Sequence, residues 1–586
     1  MKQKRTINFL WVILLTALFI SCQNDDLENQ ISELEEDLEQ LQLVNSTLQL
    51  RTIINEAKLA ELLILELIDQ DESLLLNFEN GDLYEVSKEI VFEYTIDNTN
   101  WELDLHLTDS TSISTYILGD ELTTSDVTLN PFNIAPLSSI IKIETPVNGK
   151  FIVKVVGQDG PNSDIIIEPE HFGKTHSLEV FGLYANYDNE IELIFTNKEG
   201  VTRTSTSISI QTEELPSGLP TFEIVKQYES YNQNTLILVN YRPTHIPFMV
   251  DPHGKIRWYS EGFTKTGKYA LQRFKNGNIG FGRSGNGQGS IFEYTMMGEL
   301  IEEYSFYPEF ENAHHDVYEM SNGNFLVAVN KVGITTIEDH IIEMDRNSGM
   351  ISNVWDLREI LPMDRFTLRK IGDGSDWFHV NAVIHDERDN TIIVSGQPQG
   401  LVKVTWDNQL KWILAPHEGW GSEYTNHLLQ PTGEGFEWSW GQHAPLILPN
   451  GNLLQFDNGF GREFGNATSQ YSRIVEYEIL ENEATVGGSI SQKWQYGKER
   501  GDDMFASFIS DVDYIDESAT RFIVAGSTAF DHTYIDSLNT FGTPNIDQIE
   551  TRIIEVNEAK DVLFEMTLSS SEHTGTTFRA EKLVVN

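Results

Sequence analysis

The hydrophobic pattern of the chain changes period along its length. Leu27, Ile31, Leu34, Leu38, Leu41 and Leu48 recur at alternating spacings of four and three with one gap, and Glu and Gln fill many positions between them. That is a heptad seam of about three repeats. A second apolar helical stretch runs from Ile53 to Ile68, so residues 22–80 are expected to form an acidic helical or coiled-coil spacer. From about Glu85 the period becomes two. Ile90-Val-Phe-Glu-Tyr-Thr-Ile, Ile140-Ile-Lys-Ile-Glu-Thr, Phe151-Ile-Val-Lys-Val-Val, Ser177-Leu-Glu-Val-Phe and Ile191-Glu-Leu-Ile-Phe alternate or run apolar between Gly, Asn and Asp clusters. They predict a small antiparallel β domain over residues 85–215, closed by the linker Glu214-Leu-Pro-Ser-Gly-Leu-Pro.

A longer β array begins after Thr221, and it repeats. One element is a strand introduced by a turn, as in Asn276-Gly-Asn-Ile-Gly, Asn322-Gly-Asn-Phe-Leu, Asp389-Asn-Thr-Ile-Ile and Asn450-Gly-Asn-Leu-Leu. Asn-Gly tolerates the positive φ of a tight hairpin. A second element follows each first one, as in Met249-Val-Asp-Pro-His-Gly-Lys-Ile-Arg-Trp and Val404-Thr-Trp-Asp-Asn-Gln-Leu-Lys-Trp. Such pairs recur six times, at Asn234, Asn276, Asn322, Asp389, Asn450 and Ala519, which predicts an all-β, six-bladed β-propeller over residues 221–586. The inserts from Arg358 to Ser375 and from Glu423 to Glu437 are too long for plain turns and are expected to carry function.

The N-terminus adds a destination. Lys2, Lys4 and Arg5 precede an apolar run from Phe9 to Ile20, followed by Ser21-Cys22. Residues 1–21 therefore read as an export signal, with Phe19-Ile-Ser-Cys resembling a bacterial lipobox. Cys22 is the single cysteine among 586 residues, as expected for the lipidated first residue of a mature lipoprotein. The expectation is a lipid-anchored envelope protein of the outer membrane, on its periplasmic or its surface face, with self-association possible through the spacer. A formal net charge of −50 excludes nucleic acid as a partner, because phosphate binding needs a basic footprint.

Candidate chemistry centres on three histidines in one register. His315 in Asn312-Ala-His-His-Asp-Val, His379 in Asp376-Trp-Phe-His-Val-Asn and His443 in Trp440-Gly-Gln-His-Ala-Pro each stand just upstream of a repeat's first hairpin. First strands of propeller blades surround one axis, so residues at that position can meet. His314 adjoins His315, and strand alternation predicts that only one of the two faces the pocket. Asn381 shares a face with His379. Three imidazoles could hold zinc with a position left for water, but no His-x-His or His-x-x-x-His pair supports it, and neither a metal nor a cofactor is expected. A phosphate-cradling GxxxxGK[ST] loop and a GxSxG elbow are both lacking.

Thr128-Leu-Asn-Pro-Phe-Asn-Ile-Ala-Pro-Leu-Ser, Val180-Phe-Gly-Leu-Tyr-Ala, His314-His-Asp-Val, Asp376-Trp-Phe-His-Val-Asn-Ala-Val, Trp412-Ile-Leu-Ala-Pro-His-Glu-Gly-Trp and Gly441-Gln-His resemble the bacterial aryl-sulfate sulfotransferases, from about Glu85 to the C-terminus. The resemblance implies an N-terminal β-sandwich before the propeller. It also implies sulfuryl transfer from a phenolic sulfate ester to a phenol without a nucleotide donor. His443 would be the transient nucleophile in a ping-pong reaction, with His315, His379 and Asn381 lining the sulfate site. His314 and Gln397 are candidate substrate-binding positions, and Trp377, Phe378, Trp438, Trp440 and Phe578 are candidates for an aromatic mouth.

One departure matters. The family carries an arginine on the strand after the His-x-Asn segment, whereas this chain reads Ser395-Gly-Gln-Pro-Gln-Gly, with Gln397 at the expected position of the guanidinium. A neutral amide supplies no charge. Arg462, Arg473 or Lys498 could compensate. The alternatives are a non-catalytic surface propeller that binds sulfated or aromatic ligands, and an aryl sulfate hydrolase.

Overall fold

The computed structural model describes five short strands within residues 73–117 and then residues 126–585, apart from the loops 197–201, 243–245, 262–267, 286–287, 366–373, 466–469, 483–484, 530–548 and 571–574. The export signal, Cys22, the heptad seam and the second apolar stretch lie outside the described residues.

The small β domain is organised by one long strand, Ser138–Val155. Its first half pairs with Asp126–Leu129 and Gly173–Phe181, and its second half with Asp188–Thr196 and Ile165–Ile167, so it passes from one sheet to another. Thr202–Gln211 extends the second sheet. Along Asp188–Thr196 the burial alternates, the signature of a sheet with one face in the core. Arg257 fastens this domain to the array. Its guanidinium is fully buried, donates to the carbonyls of Gly182 and Ser163 at 2.7 and 2.9 Å, and lies 3.8 Å over the Tyr184 ring.

Among the described residues, six sheets of four or five strands follow in sequence order, antiparallel apart from one rim strand of the fifth. Their innermost strands are Thr577–Val584, Lys268–Arg273, Val317–Glu319, Val380–Asp386, His443–Ile447 and Asp511–Ile515, in blades one to six. Each sheet packs on the next, and the sixth returns to the first through Thr520–Ala529 against Thr577–Val584. The ring is closed by exchange of the ends: the C-terminal strand is innermost in blade one, and Thr221–Lys226 is outermost in blade six. Middle strands such as Thr235–Tyr241 and Thr391–Gly396 are buried at every position, because neighbouring blades cover both faces. Alternation is lost there, and the strands read as continuous apolar runs. The insert around Glu423 to Glu437 contributes a strand, Leu429–Thr432, that pairs parallel to Gly488–Tyr496 at the rim of blade five.

Candidate active site

The three register histidines converge at one end of the axis. His315 and His379 have ring centroids 4.9 Å apart. Phe578, on the closing strand of blade one, lies 5.4 Å from the His315 ring and 6.3 Å from the His443 ring. Residues from 64 (His315 and His379) to 263 (His315 and Phe578) apart in sequence thus share one pocket because each lies at or just before the start of an innermost strand. Backbone geometry aims them. His315 and His379 have φ of 55°, and Ala444, just after His443, has φ of 48°. Left-handed conformations in non-glycine residues cost on the order of 1–3 kcal/mol each and persist where packing imposes them.

This conformation overturns the expectation that His314 and His315 face opposite ways. Both precede the strand Val317–Glu319, and the left-handed turn at His315 brings both rings to Glu338, at 3.1 and 3.3 Å. Alternation holds only within a strand.

His443 is buried and neutral. Its Nδ1 lies 2.8 Å from Asn458 Oδ1 and 3.1 Å from the Gly441 carbonyl. The Asn458 amide nitrogen donates to the carbonyls of Ala506 and Ile509 at 2.8 and 2.6 Å, which fixes its oxygen toward the imidazole. An oxygen there can only accept, so Nδ1 carries the proton and Nε2 keeps its lone pair. Burial pushes the pKa of His443 down to about 3, against the opposing bond from Asn458. The backbone before it is held by blade four: Asn381 Nδ2 donates to the Gln442 carbonyl at 2.7 Å, and Gln442 Nε2 donates to Ser395 Oγ and the Gly396 carbonyl. Gly441 has φ of 62°, and a Cβ on Gly396 would meet the Phe378 ring at 2.6 Å, so both glycines are required by the local path.

His379 sits in a different environment. Its Nδ1 lies 2.8 Å from Glu338 Oε2 and 2.7 Å from Asp376 Oδ2. Burial alone would lower its pKa, but the Glu338 charge and the bond to Asp376 outweigh burial and push it up to about 10. Burial would raise Glu338, yet the charge of His379 and the hydrogen bonds from His315 and His379 hold its carboxyl well below the usual range. His314 is the reverse, lowered by burial to about 4. The donor atoms of His314, His315, Glu338, Asp376 and His379 are close enough together to raise the question of a metal. Ligands about 2.0 Å from a tetrahedral ion stand about 3.3 Å apart. Around His379 the separations of 2.7 and 2.8 Å are those of charge-assisted hydrogen bonds, while His314 and His315 stand 3.1 and 3.3 Å from Glu338.

Gln397 is buried beside these groups, with its backbone N–H on the His379 carbonyl at 3.1 Å. The cations considered as its substitutes are engaged elsewhere. Arg462 and Arg473 both bind Asp457, at 3.0 and 2.9 Å, and Lys498 binds Glu437 at 2.5 Å. Trp377 and Phe378 are core residues, since Trp377 donates to Asp339 and Phe378 packs beneath Gly396. Trp440 packs edge-on against Phe464, and Trp438 against Phe436 and His417. Phe578 is the aromatic candidate in contact with the histidines.

Three residues of the site escape sequence reading. Glu338 lies among Ile337-Glu-Asp-His and reads as a surface loop, Asn458 reads as the turn Asp457-Asn-Gly, and Asp376 opens the His379 motif with no role that the sequence assigns to it. A fourth, Asp316, is buried directly after His315. It accepts from Arg579 at 2.9 Å and from the Val383 N–H at 2.9 Å, linking blades one, three and four beneath the pocket.

The family model described as Arylsulfotransferase (ASST) matches residues 221–579, and Arylsulfotransferase Ig-like domain matches residues 126–213. The chain is 27% identical over 550 residues to arylsulfate sulfotransferase AssT of Escherichia coli O6:H1, covering 75% of this chain and 90% of that protein. It is 26% identical over 568 residues to arylsulfate sulfotransferase AssT of Lelliottia amnigena, covering 78% and 92%. A solved structure of a protein of unknown function from Bacteroides caccae aligns with a TM-score of 0.37 at 12% identity over 60% of this chain and 98% of its own, too loosely to bear on mechanism. The match over the whole propeller shows that the chain belongs to the arylsulfotransferase family.

Proposed function

We propose that this aryl-sulfate sulfotransferase works by a ping-pong mechanism through a sulfohistidine on His443, from a phenolic sulfate ester to a phenol acceptor. The observation that carries the proposal is the contact of Asn458 Oδ1 with His443 Nδ1, which holds the ring proton on Nδ1 and leaves the Nε2 lone pair for attack. In the first half-reaction Nε2 bonds to sulfur, and the S–O bond to the aryl group breaks with its electron pair left on the phenolate. Nδ1–H continues to donate to Asn458, which stabilises the charge developing on the ring. In the second half-reaction an acceptor phenolate oxygen bonds to sulfur, and the S–N pair returns to Nε2. Splitting the transfer this way is covalent catalysis. A loose transition state spreads charge over three equatorial oxygens, and preorganised imidazoles on rigid strand ends suit that task. Phe578 supports an aryl leaving group by its place between His315 and His443.

The test is incubation of the purified protein with 4-nitrophenyl sulfate, with and without phenol, followed by mass spectrometry of the donor-treated protein. Phenol-stimulated release of 4-nitrophenol and a sulfuryl adduct on His443 are expected. Release independent of phenol would point to hydrolysis instead. An adduct absent from His443 in a turning-over enzyme would refute the mechanism.

A further inference from the structure

A sulfate ester is an anion, and its subsite needs a cation that neutral Gln397 does not provide. The groups facing His379 define what can. Glu338 comes from the loop between the second and third strands of blade three, and Asp376 from the segment leading into blade four; both bring carboxylate oxygens to the same ring nitrogen. His315 stacks 4.9 Å from His379 and also reaches Glu338. His314 reaches the other Glu338 oxygen, and Asn381 and Gln397 are neutral. The arginines of the neighbourhood are bound elsewhere: Arg365 to Gln399 and the Trp420 ring, Arg579 to Asp316.

Charge balance follows from this geometry. Two carboxylates in a water-poor pocket would repel a sulfate ester unless neutralised, and a buried charge without a partner is expensive. The partners in reach are imidazoles. A ring whose Nδ1 meets two carboxylate oxygens at hydrogen-bond distance must hold a proton there. A second proton on Nε2 makes the ring an imidazolium that offsets one of the two anions and gives it a charged N–H donor besides the one they hold. Glu338 itself has φ of 56°, a backbone conformation imposed on it at this position.

We propose, on the sulfuryl-transfer reading above, that Glu338 and Asp376 are positioning residues that keep His379 an imidazolium, and that this imidazolium is the fixed cation of the sulfate subsite in place of a guanidinium at position 397. The site then has one neutral histidine that attacks and one charged histidine that holds. Activity depends on pH where an arginine-based site would be flat, because an imidazolium can be titrated and a guanidinium cannot.

Two measurements test it on the full chain. The first is an NMR titration of ring-¹⁵N-labelled protein, which needs no turnover. His379 is expected to stay doubly protonated through pH 8, and in E338Q to lose its proton at least one pH unit lower than in the wild type. The second is kcat/KM for 4-nitrophenyl sulfate against pH. In a ping-pong reaction this ratio reports the donor half-reaction alone, so titration of the acceptor phenol does not enter. The alkaline limb of E338Q should move to lower pH, giving a loss of about 10- to 100-fold at pH 9 and a smaller loss at pH 6. Adding Gln397→Arg to E338Q should restore the alkaline rate and flatten the profile. E338D keeps the charge and is expected to keep most of the wild-type limb, which guards against a trivial folding defect in the glutamine variant.

A neutral His379 at pH 7 in the wild type would overturn the proposal. So would an unmoved limb in E338Q, a uniform loss that Gln397→Arg fails to rescue, or a stoichiometric divalent metal whose removal by EDTA abolishes turnover. If His379 titrates as stated but 4-nitrophenyl sulfate is not turned over, the sulfuryl-transfer reading fails and the charge assignment stands.

Discussion

His443 and His379 occupy the same register of adjacent blades, one residue apart in their relation to the innermost strand, yet their surroundings push their pKa values in opposite directions. Around His443 the fold supplies a neutral amide oxygen and two backbone carbonyls arranged behind that amide. Around His379 it supplies two carboxylates. Burial acts the same way on both, disfavouring charge, and only the second environment has enough negative charge to reverse it. The lesson is that the propeller delivers equivalent positions, and the loop residues behind each position decide what the imidazole can do.

The largest expected effect comes from removing the attacking ring. His443→Ala should lower turnover on the order of 10³-fold or more and abolish the adduct, because no other group replaces the nucleophile. His379→Gln, with a neutral donor of similar reach, should retain adduct formation at a reduced rate. Single-turnover kinetics with 4-nitrophenyl sulfate separates the two. Equal loss in both variants would erase the distinction drawn between them.

Breaking the tautomer lock comes next. Asn458→Leu removes the nearer of the two acceptors of His443 Nδ1 while keeping the volume, leaving the Gly441 carbonyl at 3.1 Å as the weaker hold on the tautomer. A fall in kcat of about 10²-fold is expected, with little change in KM for the donor. An unchanged kcat would show that the amide is structural only.

The two environments should also tilt stability in opposite directions with pH. The folded pKa of His379, about 10, lies above its unfolded value of about 6.5, so its contribution is full below pH 6.5 and is lost as pH rises toward 10. The folded values of His443 and His314, about 3 and 4, lie below the unfolded value, so their contributions are present above pH 6.5 and are lost as pH falls. Glu338, depressed as well, adds to the loss on the acid side. Thermal melts from pH 5 to 10 should show a fall on the alkaline side that is shallower in His379→Gln than in the wild type. A parallel pair of curves would contradict the charge assigned to His379.

How much of this was legible follows from the range of the signals involved. The turns at Asn276, Asn322 and Asn450 are local, so the hairpins between first and second strands could be read directly. The histidine register could be read because it repeats. The exchange of ends that puts Thr577–Val584 in blade one depends on pairing across most of the chain, and nothing in its own alternation names its partner. Glu338 was invisible for a related reason. Its acidic loop has the composition of a solvated surface, and only the closing of blade three on blade four buries it among imidazoles. His314 was misjudged because strand alternation was extended past the strand's first residue, where the backbone turns left-handed. The insert from Glu423 to Glu437 announced itself by length, but what it adds is a rim strand and, through Glu437, ion pairs to Arg473 and Lys498.

The smallest expected effect sharpens the comparison most, because it concerns two histidines on one carboxylate. His314 and His379 both reach Glu338, at 3.1 and 2.8 Å, but only His379 has Asp376 as a second anion. With one carboxylate shared among three rings, the proton goes where two negative charges overlap, and His314 stays neutral. His314→Asn should therefore change kcat/KM by less than about five-fold and leave the alkaline limb in place, since it removes no charge from the pocket. Asp376→Asn should shift that limb down, because its carboxylate lies 2.7 Å from His379 Nδ1. If His314→Asn moved the limb as far as Asp376→Asn, the charge would have to be spread over the whole imidazole cluster, and the division of labour between a ring that attacks and a ring that holds would rest on His443 alone.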